Sequence, residues 1–227
     1  MSTQLDLQEQ EQLDALKAFW KTYGNLITWL LILALGAYAG WNGWQYWQRD
    51  QGIKAGAMFD ELERAAQAGD ADKAGRIFAD LKERFPRTAI AQQGALLAAR
   101  SQFDKGQVDA AKATLIWAAE NAVEDEMRTV ARLRLAALQA DAKQYDDAIK
   151  SLDAAKAPAF EGLVADRRGD ILMLQGKKDD ARAAYQAAFK GLGEKTEYRR
   201  LVEAKLVALG VPPAPAATAT AASGAGQ

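Results

Sequence analysis

The run Gly176-Lys177-Lys178-Asp179-Asp180-Ala181-Arg182-Ala183-Ala184-Tyr185-Gln186-Ala187-Ala188 decides the fold. A glycine stands five residues before Ala181, a large ring four after it and a small residue seven after it. Spacings of four and seven place Ala181, Tyr185 and Ala188 on one helix face, and the glycine suits a tight turn into that helix. The grouping occurs three more times. Ala148 has Lys143 before it and Leu152 and Ala155 after it; Ala111 has Gly106, Leu115 and Ala118; Ala74 has Gly69, Phe78 and Leu81, with Pro86 closing that unit. The four alanines are 37, 37 and 33 residues apart.

This is the pattern of the second half of a tetratricopeptide repeat (TPR). Each position has a mechanical reason: the glycine permits the turn, the alanine lets two helices approach, and the larger residue fills the remaining gap. The first helices are marked less strongly. Ala99, Ala136 and Gly169 share a small-residue register, but the large aromatic near the start of each first helix is missing. The repeats are divergent, and the 37-residue spacing predicts longer turns than the standard 34-residue unit has. The rival is an ordinary antiparallel helical bundle, which four matching registers disfavour.

Residues 55–210 therefore read as about four TPR-like repeats. They close on an amphipathic capping helix with the pattern Tyr198, Leu201, Val202, Lys205, Leu206, Leu209. Residues 211–227, rich in Ala and Pro, read as a disordered tail. In such a stack the first helix of each pair lines the concave face. The register puts Leu96, Arg100, Phe103, Leu133, Asp166, Asp170 and Met173 there as a candidate protein-binding groove. The Lys and Asn pattern that clamps a peptide carboxylate is absent, with Phe59 and Glu63 at the matching places of the first unit.

Towards the N-terminus, 27 consecutive residues from Thr22 to Gln48 carry no charge. The apolar centre, Leu26 to Gly40, gives roughly 22 Å of helix, and extension to Trp47 gives about 33 Å, enough for a hydrocarbon core of about 30 Å. Trp20 and Tyr23 on one side and Trp41, Trp44, Tyr46 and Trp47 on the other are the residues of an interfacial belt. A cleaved signal peptide is the alternative, since Ala37-Tyr38-Ala39 fits a cleavage site. The acidic leader (Asp6, Glu9, Glu11 and Asp14 against Lys17 and Lys21) opposes it. The predicted order is a leader over 1–21, a transmembrane helix over 22–48, a short linker over 49–54 and the repeat domain. Lys17 and Lys21 balance Arg49 and Lys54, so charge leaves the orientation open. Gly36, Gly40 and Gly43 form small-residue spacings that suit close packing of a second membrane helix.

Composition weighs against chemistry. The chain of 227 residues has no cysteine and no histidine, which removes disulfides, thiolate nucleophiles, the usual zinc ligands and the neutral-pH proton shuttle. Its net charge is -1, with no excess that would draw in nucleic acid. About 49 residues are alanine, the strongest helix former, which excludes a β-sandwich or barrel. Ser2, Ser101, Ser151 and Ser223 lack an activating histidine, and no phosphate-cradling loop occurs. Asp70-Ala71-Asp72 opens like a calcium loop without the later bidentate glutamate, and Glu124-Asp125-Glu126 and Asp179-Asp180 read as helix starts. No catalytic, cofactor or metal residues are assigned, and an enzyme is not expected.

The chain also resembles the YfgM-like family, ancillary subunits of the SecYEG translocon. The likeness rests on Leu16-Lys17-Ala18-Phe19-Trp20, on Gly43-Trp44-Gln45-Tyr46-Trp47, and on two repeat stretches. One runs from Leu133-Arg134-Leu135-Ala136 to Ala148-Ile149-Lys150-Ser151-Leu152-Asp153, the other from Asp166-Arg167-Arg168-Gly169-Asp170 to Asp180-Ala181-Arg182. The resemblance implies a single-pass inner-membrane protein with its N-terminus in the cytoplasm and its repeats in the periplasm. The implied partners are SecYEG, a membrane-anchored periplasmic chaperone of the PpiD type and translocating polypeptides. The alternative is a repeat scaffold for cell-wall or outer-membrane assembly.

Overall fold

Four tight turns, built alike, organise the repeat region in the computed structural model, which describes residues 7–193 and 197–212. Gly69, Gly106 and Gly176 take positive φ (70°, 75° and 76°), and so does Lys143 at 60°. Each ends a helix in the same way: the next residue's N–H reaches back five residues, Asp70 to Ala65, Gln107 to Gln102, Gln144 to Gln139 and Lys177 to Leu172. That hydrogen bond satisfies a helix-end carbonyl, and the left-handed residue makes it possible. The next residue's own carbonyl then accepts from the N–H of Ala74, Ala111, Ala148 or Ala181, so the following helix starts at once. The register read from sequence is thus a backbone device.

Every element among the described residues is helical, and the chain divides into two units at Ile53 and Lys54. Helix α1 spans Leu7–Gln67, followed by α2 (Ala71–Arg84), α3 (Ala89–Asp104), α4 (Val108–Asn121), α5 (Asp125–Asp141), α6 (Tyr145–Asp153), α7 (Glu161–Leu174), α8 (Lys178–Gly191) and α9 (Glu197–Ala208). The expected linker over 49–54 is therefore helical, within α1. Nothing in that stretch breaks a helix except Gly52, which costs only about 1 kcal/mol, and no proline intervenes. The expectation of a disordered tail falls largely on 213–227, outside the described residues.

In the first unit, α1 is the one described helix long and apolar enough to cross a membrane. Leu30, Leu31, Ile32, Leu33 and Leu35 are exposed along it, as lipid-facing residues are. Two of its polar side chains turn inward on the backbone. The Thr28 hydroxyl donates to the Gly24 carbonyl at 2.7 Å and the Asn42 amide to Tyr38 at 2.9 Å, which meets the demand that polar groups in lipid be satisfied internally. Phe19 and Tyr23 pair at 5.1 Å before the apolar stretch, and Trp44 and Trp47 at 5.3 Å at its end.

In the second unit, Ala74, Ala111, Ala148 and Ala181 are fully buried, and Phe78, Leu115, Leu152 and Tyr185 are nearly so. Two units add a polar tie at equivalent positions. The Thr114 hydroxyl donates to Gln102 at 2.9 Å, and the Ser151 hydroxyl to Gln139 at 2.8 Å, so in both helix pairs a second-helix hydroxyl is satisfied by a side-chain carbonyl of the first helix. The expectation of longer turns is corrected. The connections within the 37-residue intervals are short, 85–88 and 122–124, whereas the 33-residue interval contains 154–160; the additional residues sit in longer helices. Ala155 is corrected too. Helix α6 ends at Asp153, so Ala155 lies beyond it and is half-buried, unlike Leu81, Ala118 and Ala188. The early end is capped from α5: Arg132 donates to the Ala154 carbonyl, and Thr129 accepts from the Ala157 N–H at 3.2 Å.

Candidate functional site

Gly36, Gly40 and Gly43 share one face of α1, because spacings of four and three return a helix to the same side. A methyl group added at any of them would meet nothing within 4 Å. That face is open to another helix at backbone distance.

The predicted groove residues separate into three places. Arg100 and Phe103 on α3 line a cleft of about 250 Å³ together with Ala99, Leu115 on α4, and Arg134, Ala137, Leu138 and Asp141 on α5. Leu96 is half-buried beside Ala99 and Leu115, and its carbonyl accepts from the Arg134 guanidinium at 3.3 Å. Burial, and after it the neighbouring Arg100 charge, hold the Arg134 guanidinium below its usual pKa. Leu133 packs against the Ala136, Leu152 and Ile171 cluster.

Asp166, Asp170 and Met173 on α7 lie elsewhere, under α9. The expectation that they line an open groove is corrected for Asp166, which is only 1% exposed. Lys205 reaches both of its oxygens, at 2.8 and 2.9 Å, and also Asp170 at 2.7 Å. Tyr198 donates to Asp166, and Tyr185 donates to Asp170 at 2.8 Å. Burial first, and these hydrogen bonds next, push both phenol pKa values above the usual range. Met173 packs among the residues that α9 covers. Gly169 makes the arrangement possible: a Cβ there would lie 2.5 Å from the Tyr185 ring. The fourth unit alone combines glycine at that register with a ring at 185, where the second and third have Ala99 with Leu115 and Ala136 with Leu152.

Sequence reasoning missed Arg134 and Asp141 in the cleft and Lys205, Tyr185 and Tyr198 in the network. Arg134 carried no signal, since its repeat equivalents are Leu97 and Arg167. Lys205 did carry one: a single cation within the apolar stripe of α9, between Val202 and Leu206. A charge on a buried face needs a partner, and two carboxylates on α7 were the candidates.

Comparison with known proteins bears on the whole chain rather than on one site. A family described as a tetratricopeptide repeat-like domain matches residues 17–211. A relative from Neisseria gonorrhoeae is 30% identical over 204 residues, covering 89% of this chain and 98% of that protein. One from Escherichia coli is 31% identical over 185 residues, covering 80% and 87%. A third, from Haemophilus influenzae, is 29% identical over 182 residues, covering 80% and 89%. Each is named an ancillary SecYEG translocon subunit. With helix pairs closed by four like turns and a likeness that runs from the apolar helix through the repeats, the chain belongs to the tetratricopeptide repeat-like family of ancillary SecYEG translocon subunits.

Proposed function

We propose that this protein is a non-catalytic scaffold of the bacterial inner membrane that associates with the SecYEG translocon and passes emerging polypeptides to a membrane-anchored periplasmic chaperone of the PpiD type. It crosses the membrane once, with the N-terminus in the cytoplasm and the repeats in the periplasm. The observation that carries this reading is the extent of the likeness to the named subunits, which takes in anchor and repeats together. Gly36, Gly40 and Gly43 give the anchor a face for lateral contact, and the repeat domain offers the α3–α5 cleft to polypeptide. The work is binding, which needs neither a nucleophile nor a proton shuttle.

In-cell crosslinking followed by mild-detergent purification tests it. Channel subunits and the chaperone are expected among the crosslinked products; recovery of cell-wall synthases alone would overturn the reading in favour of an envelope-assembly scaffold. Orientation has a separate test. Alkaline phosphatase fused to the C-terminus is expected to be active, and an inactive phosphatase with a fluorescent cytoplasmic fusion would reverse the assignment.

A further inference from the structure

The groove is closed in the fourth repeat and open in the middle of the domain. Arg100 and Ala137 hold the register position of Asp170, and Leu96 and Leu133 that of Asp166. Over Asp166 and Asp170 the space is filled by Lys205 and Tyr198 of α9. Between α3 and α5 it remains a cleft of about 250 Å³.

The size and lining of that cleft restrict its occupant. Pockets for drug-sized ligands run from about 300 to 1,000 Å³, so this one suits a single large side chain. Ala99, Phe103, Leu115 and Leu138 make its walls apolar. Its charges are unevenly placed. Arg100 pairs with Asp104 of its own helix at a long 3.7 Å, with both side chains well exposed. Arg134 donates to the Leu96 carbonyl, and among the described residues no carboxylate pairs with it. Its charged form is disfavoured both by burial and by Arg100. A carboxylate shared by the two guanidiniums relieves that repulsion and supplies charge-assisted hydrogen bonds. Asp141 lies seven residues beyond Arg134 on α5, about 10 Å along the helix, so it repels an anion only from the far end.

We infer that the α3–α5 cleft binds an extended segment of unfolded polypeptide in which an Asp or Glu neighbours a large apolar side chain. The apolar group enters between Phe103 and Leu138, and the carboxylate bridges Arg100 and Arg134. An unfolded segment is the occupant because a recess for one side chain offers far less than the roughly 1,200–2,000 Å² buried in a stable interface between folded proteins. The assignment rests on the polypeptide-binding part of the proposed function and adds the kind of segment bound.

The test uses the full chain in detergent micelles and dye-labelled synthetic peptides with Glu-Phe pairs, their Gln-Phe analogues and their Lys-Phe analogues, read by fluorescence anisotropy. The Glu-Phe peptide is expected to bind about tenfold or more tightly than either analogue, with the preference weakening in salt. Arg100→Gln with Arg134→Gln should abolish the preference while leaving the thermal melt in place, and Arg134→Lys should retain part of it. Equal binding of the three peptides, no binding of any, or an unchanged preference in the double variant would overturn the assignment. Crosslinking of the wild-type chain to the channel separates the two readings. If those crosslinks are missing while the Glu-Phe preference holds, the translocon reading fails and the cleft assignment stands.

Discussion

Lys205 on α9 caps the buried carboxylate of Asp166 on α7, with its ammonium 2.8 and 2.9 Å from the two oxygens. Asp166 has almost no exposed surface, so its charge depends on that partner. Lys205→Met is expected to destabilise the repeat domain by about 3 kcal/mol, the cost of leaving a buried charge unpaired. Urea unfolding followed by circular dichroism measures it. Adding Asp166→Asn should recover part of the loss, because the neutral amide still accepts from Tyr198. Equal stability of wild type and Lys205→Met would show that α9 is not held in this way.

The same network makes stability fall at high pH. Tyr185 and Tyr198 have folded pKa values raised above the ordinary phenol value of about 10, so the folded state favours their neutral forms. Their contribution is fully present below about pH 10 and is lost as pH rises from there through the raised folded values. Tyr185→Phe with Tyr198→Phe is expected to flatten the alkaline limb of a plot of unfolding free energy against pH. An alkaline limb as steep as wild type would refute the sign.

Gly169 and Tyr185 fit as a pair. Gly169→Ala should cost about 1–3 kcal/mol, since the new methyl group meets a rigid ring at 2.5 Å. Combining it with Tyr185→Leu, the residue type of the second and third repeats, should cost less than the sum of the two single changes. A double-mutant cycle reads that coupling.

Lys143 takes a left-handed φ of 60° where three other repeats have glycine. A side chain in that conformation costs about 1–2 kcal/mol, and glycine returns some of this as chain entropy. Lys143→Gly should therefore stabilise the domain by about 1 kcal/mol, visible as a higher urea midpoint at unchanged slope.

In the membrane segment, Gly36→Ile with Gly40→Ile would fill the open face of α1 and is expected to abolish co-purification of a membrane partner. Undiminished recovery would place the contact elsewhere.

Much of this protein was legible along the chain. Turn positions at Gly69, Gly106, Lys143 and Gly176, the fully buried alanines and the apolar stretch all follow from interactions within a few residues, where backbone conformation and 3.6-residue periodicity act. Even Lys143, a residue that does not favour positive φ, was marked by its register. Tertiary packing decided which predicted groove residues are reachable. Asp166 and Arg100 share a concave-face pattern, yet one is sealed by an ammonium 39 residues away and the other lines an open cleft. Local propensity determines which face a side chain takes; a neighbour brought from far along the chain determines whether water, or a ligand, can still reach it.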